Sequence, residues 1–482
     1  MKKAFSRALA ALLIIALLAG GGLVQSLAVT DAQWDAIWEE IDAKQSVVAL
    51  TPGSDETQRN FAWQGGRNIP APGGQFFGPM VHLSKNADMS GAVTFHGDIE
   101  LNQGTGLVTN YVTVKSLEPG ASYYYQCEDF SSGKSAVYSF KTAPANSPVK
   151  VVMFSDIHVK SDEEAGVDEK SSGRIWNDAL EQALAREPDA DLVLSAGDNA
   201  NTGAPREYLG LYAPPALKSI PFAACMGNHD KKQFNLKYYM NNPNAHNALL
   251  GSLQGGDYWF RYNDVLFLVF DSTNGSAFDH YRFAREACKA NGDAKWRVAM
   301  YHHDLHATLS PIKDPEGWAM QQIFDPILAD FDMDAVFVGH NHRYIRTHVL
   351  SRGWVTRNVG DARQVVDPPG MVYFGNTSVV HVSGSDFPSL NPENAFCFTE
   401  PNVVTYNVIS FEGGQLNVKA CRVDDGRVID EFTIIKSEGN MPKSAFLPRP
   451  SYVGIMFLSG IYALIAKTND QKIMQENGML PW

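Results

Sequence analysis

The apolar positions of this chain change their spacing twice along its length. Between residues 31 and 45 they recur every three or four places, with Trp34, Ile37, Trp38 and Ile41 on one face and acids opposite. That spacing predicts an amphipathic helix. From 47 to 143 the period shortens. Short β segments are expected at 47–50, 58–64, 80–85, 92–96, 107–115, 123–127 and 136–141, separated by polar turns. Strands at this interval argue for a β-sandwich. Beyond 149 strand-length apolar runs alternate with helical patterns: a strand at 149–155, a helix at 171–186, and strands at 191–195, 222–226, 258–271, 296–301 and 335–338. Antiparallel-looking segments follow between 379 and 436, among them 403–411 and 415–423. Two mixed sheets packed face to face and flanked by helices account for this mixture. The expected fold is therefore α/β over the larger part of the chain, preceded by an all-β sandwich.

Two further apolar stretches lie outside these units. Lys2, Lys3 and Arg7 precede an apolar run at 8–18, and Ser26-Leu27-Ala28 offers a small-residue cleavage site. Residues 1–28 read as a signal peptide, with an uncleaved anchor as the alternative. The second run, 452–466, is shorter than the roughly twenty residues a bilayer needs. It reads as a docking or interfacial helix, with membrane insertion as the alternative. The organisation expected is thus a leader (1–28), a helix (29–46), a sandwich (47–145), an α/β unit (149–437) and a tail (438–482). A secreted or cell-surface location follows, and either apolar segment offers a route to membrane or surface association.

The formal net charge of −13 over 482 residues argues against a nucleic-acid partner. It does not exclude an anionic substrate, because bound metal ions reverse the field inside a cleft. The five cysteines, Cys127, Cys225, Cys288, Cys397 and Cys421, are too few and scattered for a disulfide scaffold. Their odd number leaves at least one free thiol. Cys225 reads as a small buried residue, and Cys397 and Cys421 are candidates for a cross-strand pair.

Chemistry concentrates where the apolar runs end. Five clusters occur there: Asp156-Ile157-His158, Gly197-Asp198-Asn199, Gly227-Asn228-His229-Asp230, His302-His303 and Gly339-His340-Asn341-His342. Carboxylates, imidazoles and one amide oxygen suit borderline-hard divalent or trivalent metals. Seven such side chains are too many for one tetrahedral ion and about right for two ions sharing a carboxylate. Each cluster alone is a common surface pattern; five in order, each after an apolar strand, are not. The glycines before Asp198, Asn228 and His340 allow a sharp turn as each strand ends.

The set resembles the calcineurin-like metallophosphoesterase superfamily, whose pattern is DxH, GD, GNH(D/E), H and GHxH. The resemblance implies a two-sheet catalytic sandwich and two metal ions, manganese, iron or zinc. Asp156, His158, Asp198 and His342 would hold the first ion; Asp198, Asn228, His302 and His340 would hold the second, with Asp198 bridging. His302 is taken rather than His303 because the ligand in that family directly follows the strand. A metal-bridging hydroxide would attack phosphorus, His229 would act as general acid, and Asp230 would orient its imidazole and keep it charged. Candidate substrate contacts are Asn228, Asn201, His303, His306 and Arg343, with Asp304, Asn274 and Tyr344 as further candidates to line the pocket and Arg346 as a further candidate phosphate contact. Leu117-Glu118-Pro119-Gly120, Tyr123-Tyr124-Tyr125 and the segment Ser139-Phe140-Lys141-Thr142-Ala143-Pro144 resemble the end of a fibronectin type III-like domain, more narrowly the N-terminal domain of purple acid phosphatases. Two departures from those enzymes stand out. Asn201 occupies the position of their iron-binding tyrosine, and His158 supplies a first-motif histidine that they lack. A colourless enzyme is therefore expected.

The reading is a secreted phosphoesterase acting on small phosphate monoesters. Alternatives are a phosphodiesterase on the same core, for cyclic nucleotides or lipid head groups, and a non-catalytic surface-binding protein.

Overall fold

The computed structural model describes residues 28–66, 78–160, 167–250, 256–304, 306, 315–380, 395–398, 403–445 and 447–477. The expected leader lies outside them, apart from its last residue. Helix α1 (Asp31–Lys44) starts at a capping box, in which Thr30 and Gln33 each bond the other's backbone N–H. Its stripe of Trp34, Trp38 and Ile41 is buried, and Trp34 Nε1 donates to the Lys170 carbonyl at 3.0 Å. The helix thus docks on the α/β part of the molecule.

Nine strands follow: β1 (Ala49–Pro52), β2 (Arg59–Gly65), β3 (Met80–Ser84), β4 (Val93–His96), β5 (Asp98–Leu101), β6 (Val108–Val114), β7 (Ser122–Asp129), β8 (Gly133–Lys134) and β9 (Tyr138–Lys141). They form two sheets, ordered β1-β2-β6-β5 and β4-β3-β7-β8, with β9 also on β7. Strand β7 alternates, so that Tyr123, Tyr125 and Cys127 face a core with Leu50, Phe61 and Phe140. The tyrosine triplet is packing, with Tyr123 stacked on Phe140 at 5.6 Å. The sandwich is bonded to the α/β part at buried points. Gln64 Nε2 donates to the Tyr238 carbonyl at 2.9 Å, and Lys218 Nζ donates to the Val48 carbonyl at 2.7 Å.

The α/β part begins with β10 (Val149–Phe154), α2 (Glu169–Arg186), β11 (Leu192–Ser195), α3 (Pro205–Tyr212) and β12 (Phe222–Ala224). It continues through β13 (Tyr258–Tyr262), β14 (Val265–Val269), α4 (Ala277–Ala290), β15 (Trp296–Met300), α5 (Pro315–Asp330), β16 (Ala335–Val338) and β17 (Tyr344–Thr347). The remainder is β18 (Val349–Ser351), β19 (Trp354–Arg357), β20 (Gln364–Val366), β21 (Val372–Gly375), β22 (Ala395–Phe398), β23 (Thr405–Glu412), β24 (Gln415–Arg422), β25 (Val428–Ile435) and α6 (Pro450–Glu476). One seven-stranded sheet runs β12-β11-β10-β23-β24-β25-β20 and a second runs β13-β14-β15-β16-β21-β17-β22. Strands β10 to β12 are mutually parallel, as are β14, β15, β16 and β21. One core fills the space between the sheets, where Phe267 meets Phe411 edge-on at 5.9 Å. A second core lies between the outer face of the second sheet and α4, α5 and the start of α6.

Three expectations change. The run 258–271 is not one strand but a hairpin, closed by the two-residue turn Asn263-Asp264 between Tyr262 and Val265. Asn263 takes the left-handed φ of +49° that such a turn demands. Helix α6 extends ten residues past the apolar run, because Asp470 and Met474 continue its buried face and the sequence supplies no glycine or proline to stop it before 478. Cys397 and Cys421 do not lie on neighbouring strands. Strand β22 pairs with β17 in the second sheet, whereas β24 belongs to the first, and Cys421 is a free thiol.

Candidate metal centre

Five strands end at one cleft. Asp156 and His158 follow β10, Asp198 follows β11, Asn228 follows β12, His302 follows β15, and His340 and His342 follow β16. Chemistry at the carboxyl ends of parallel strands is what open α/β sheets provide. The backbone there is strained. Asp156, His158, Asp198, His340 and His342 have φ values of 50°, 51°, 49°, 73° and 52°. Left-handed torsions in non-glycine residues cost of order 1–3 kcal/mol each and persist only where the surroundings fix them. Here the loops fix one another. His158 N–H donates to the Asp198 carbonyl at 2.9 Å, His340 N–H to the Asp156 carboxylate at 3.0 Å, and His229 N–H to Asp198 Oδ1 at 2.8 Å. Two preceding glycines serve a different purpose from the one expected. A Cβ on Gly227 would sit 2.1 Å from Asp198 Oδ1, and one on Gly339 would sit 2.7 Å from Asp156 Oδ2. They are small so that carboxylates can approach, and the unusual torsions fall on the candidate ligand residues themselves.

The donor atoms converge in two groups. In one, His342 Nε2 lies 3.4 Å from Asp156 Oδ1, and His158 Nε2 lies 3.1 Å from His342 Nε2 and 3.7 Å from Asp198 Oδ2. In the other, His302 Nε2 lies 3.2 Å from Asp198 Oδ2 and 3.0 Å from Asn228 Oδ1, and His340 Nδ1 lies 3.1 Å from the same amide oxygen. Asp198 Oδ2 is common to both. Imidazole nitrogens facing each other at such distances can share at most one proton between them, whereas a cation satisfies both. The donor set therefore fits two metal ions.

Electrostatics favour the metal-binding protonation states. Burial pushes His158 down to about 3 and His340 down to about 4, which keeps both rings neutral. Burial acts the same way on His302, but the Asp198 carboxylate outweighs it and lifts the ring to about 9. A bound cation would take that proton's place. His302 Nδ1 faces the Ala196 carbonyl at 2.8 Å, which directs Nε2 into the site.

Residues 149–344 match the family model of the calcineurin-like phosphoesterases. This stretch is a calcineurin-like phosphoesterase domain. The chain is 21% identical to purple acid phosphatase 15 of Arabidopsis thaliana over 65% of its own length and 62% of that protein's. It is also 32% identical to a probable cyclic nucleotide phosphodiesterase of Psychrobacter arcticus, over 19% of this chain and 36% of that protein. The matched stretch thus spans less than two thirds of either relative. Among solved structures, a purple acid phosphatase from yellow lupin (Lupinus luteus) seeds superposes with a TM-score of 0.62 at 16% identity, covering 82% of this chain and 75% of that one. The fold is that of a purple acid phosphatase.

Within the calcineurin-like domain, other expected residues lie at varying distance from the centre. His229 lines the cleft, its ring edge-on to His158 at 4.7 Å and its Nε2 4.0 Å from Asp198 Oδ2. Its Nδ1 faces the Asn201 carbonyl at 2.6 Å, with Lys232 Nζ at 2.9 Å. Asn201 thus reaches the site through its backbone. Asp230 does not orient this ring. Its buried carboxylate accepts from the N–H groups of Gly227, Asn199 and Ala200 and from the Tyr208 hydroxyl, tying two ligand loops together. Burial and then the nearby Asp198 charge raise it to about 7. His303 lies beside the centre, its ring 4.8 Å from that of His340 and its Nδ1 2.8 Å from Ser272 Oγ. Ser272 also accepts the His302 N–H at 3.2 Å, a supporting role that a serine after a strand does not advertise. His306 is no substrate contact: it is fully buried between Asp325 and Gln321. Tyr344 and Arg346 likewise turn inward onto Asp430. Asp304 accepts from Asn341 at 2.6 Å, bracing the last ligand loop, and Asn274 is buried, its carbonyl on His280. Arg343 is half-buried directly after His342.

Proposed function

We propose that this chain is a phosphoesterase that hydrolyses phosphate monoesters at a dinuclear metal centre. The observation that carries the reading is the convergence of seven donors in two groups about one shared oxygen, Asp198 Oδ2. Asp156, His158, His342 and Asp198 would hold one ion; Asp198, Asn228, His302 and His340 would hold the other. Such a pair supplies Lewis acidity that polarises phosphoryl oxygens and activates water at neutral pH. The chain's own residues do the rest. Asp198 and Asp156 hold the loops at fixed spacing through the backbone bonds described above, so the donors are preorganised. The His229 ring, anchored through Nδ1, turns Nε2 into the cleft to protonate the departing alkoxide. The expected leader supports secretion. The outer apolar face of α6, from Val453 to Ile465, supports contact with a membrane surface: Phe457 is 69% exposed and Leu458 67%. Among the described residues α6 is the helix long and apolar enough to cross a bilayer.

The likeness to a probable cyclic nucleotide phosphodiesterase favours a diester substrate as the second reading. One assay separates them. Protein stripped of metal and reloaded with manganese, zinc or iron is given p-nitrophenyl phosphate and bis-p-nitrophenyl phosphate. Faster turnover of the monoester is the expected result, faster turnover of the diester selects the second reading, and no turnover of either with metal bound defeats both.

A further inference from the structure

Helix α6 lies outside the stretch 149–344 that matches the family model, yet its second half reaches a loop of the candidate centre. Asp470 Oδ1 lies 3.4 Å from Nζ of Lys231, in the turn that carries His229. Asp470 is only 4% exposed, and a carboxylate so buried is costly unless a cation meets it. Among the described residues that cation is Lys231. The pair is not what docks the helix. The Tyr452 hydroxyl donates to the Ile323 carbonyl at 2.7 Å, Ser459 Oγ accepts from Ala277 N–H at 3.1 Å, and Met474 enters the core between the sheets.

Lys231 joins two loops of the centre. Its Nζ donates to the Thr273 carbonyl at 3.0 Å, and its backbone N–H donates to the Gly227 carbonyl at 3.1 Å. Gly227 precedes Asn228. Thr273 follows Ser272, whose hydroxyl accepts the N–H groups of His302 and His303 at 3.2 Å each. One side chain therefore spans the turn that carries Asn228 and His229 and the loop behind His302. A lysine stem is flexible, and holding it in one geometry costs entropy that an opposite charge can offset. We propose that Asp470 is a positioning residue: through Lys231 it holds the His229 turn at a fixed place against the Ser272 loop. The inference rests on the proposed hydrolysis, with His229 as the acid.

The test compares Asp470→Asn, Lys231→Met and the double variant in the intact, metal-loaded chain, using whichever p-nitrophenyl ester the wild type turns over faster. In Asp470→Asn, kcat is expected to fall about tenfold while KM and metal content stay at wild-type values. Lys231→Met should show the same fall, and adding Asp470→Asn to it should cause no further loss. Hydrogen exchange supplies a second measurement that needs no turnover: amides of 227–232 and 272–276 should exchange faster in Asp470→Asn, with those of α6 unchanged. If Asp470→Asn does not fold, which the thermal midpoint reports, Lys231→Met carries both measurements. Wild-type kcat, additive losses in the double variant, or unchanged exchange in both loops overturns the proposal. Absence of turnover in the wild type defeats the hydrolytic reading instead, and exchange then decides whether Asp470 braces the loops.

Discussion

His229 meets the rest of the site through its edges, with Nδ1 on a backbone carbonyl and Nε2 facing the cleft, 4.0 Å from Asp198 Oδ2 where His158 and His302 lie at 3.7 and 3.2 Å. Its loss should therefore separate chemistry from metal binding. His229→Ala is expected to keep both ions by elemental analysis while turnover falls about 10²–10⁴-fold; wild-type turnover would remove it from the mechanism. At this scale the sequence was informative about residue types. The ends of apolar runs marked all seven donors that the structure gathers, because ligand chemistry needs particular side chains. It was uninformative about what orients them. The groups that hold His229 and His302 are the carbonyls of Asn201 and Ala196, and a carbonyl leaves no signature in a residue's name. Asp230 misled for the same reason: adjacency to His229 suggested contact, while the backbone turn aims its carboxylate at the neighbouring loop.

Helix α4 illustrates what an element needs to hold its place against the sheet. Ser276 caps it, and inside its first turn His280 donates to Asp257 at 2.6 Å and to the Asn274 carbonyl at 2.8 Å. Burial disfavours the charged ring, but the Asp257 carboxylate and these bonds prevail and lift it to about 9. Because this lies above the ordinary 6.5, the folded state binds the proton more tightly than the unfolded chain does. The contribution is complete below pH 6.5 and is lost as pH rises through 9. Denaturant unfolding should show wild-type stability declining across that window and a flatter profile in His280→Gln, which is also weaker by about 3–5 kcal/mol below it. Periodicity located α1, α2 and most strands, since burial on one face imposes it. It failed where a strand run is interrupted by a turn of ordinary polarity, as at Asn263-Asp264, and where a helix passes from an exposed apolar stretch to an amphipathic one, as in α6.

Across the whole molecule α6 joins regions that are distant in sequence. The Tyr452 hydroxyl donates to the Ile323 carbonyl at 2.7 Å near its start, Ser459 Oγ accepts from Ala277 N–H at 3.1 Å, and Asp470 lies 3.4 Å from Lys231 beside the His229 loop. Its outer face remains apolar and uncovered among the described residues. If that face rests on lipid, the intact protein should float with anionic or neutral vesicles, and Phe457→Glu with Ile461→Glu should release it; a wild-type protein that stays with the aqueous fraction would exclude the role. The sheet order itself was not legible, since the return of β23 to pair with β10 depends on contacts across more than 250 positions. The five left-handed residues of the candidate centre have a consequence for how this protein can evolve. Glycine at any of them would relieve strain while deleting a donor, so selection for heat tolerance alone should accumulate such replacements and yield sturdier, inactive descendants. Persistence of the five in a lineage would then measure how long the proposed catalysis has been needed.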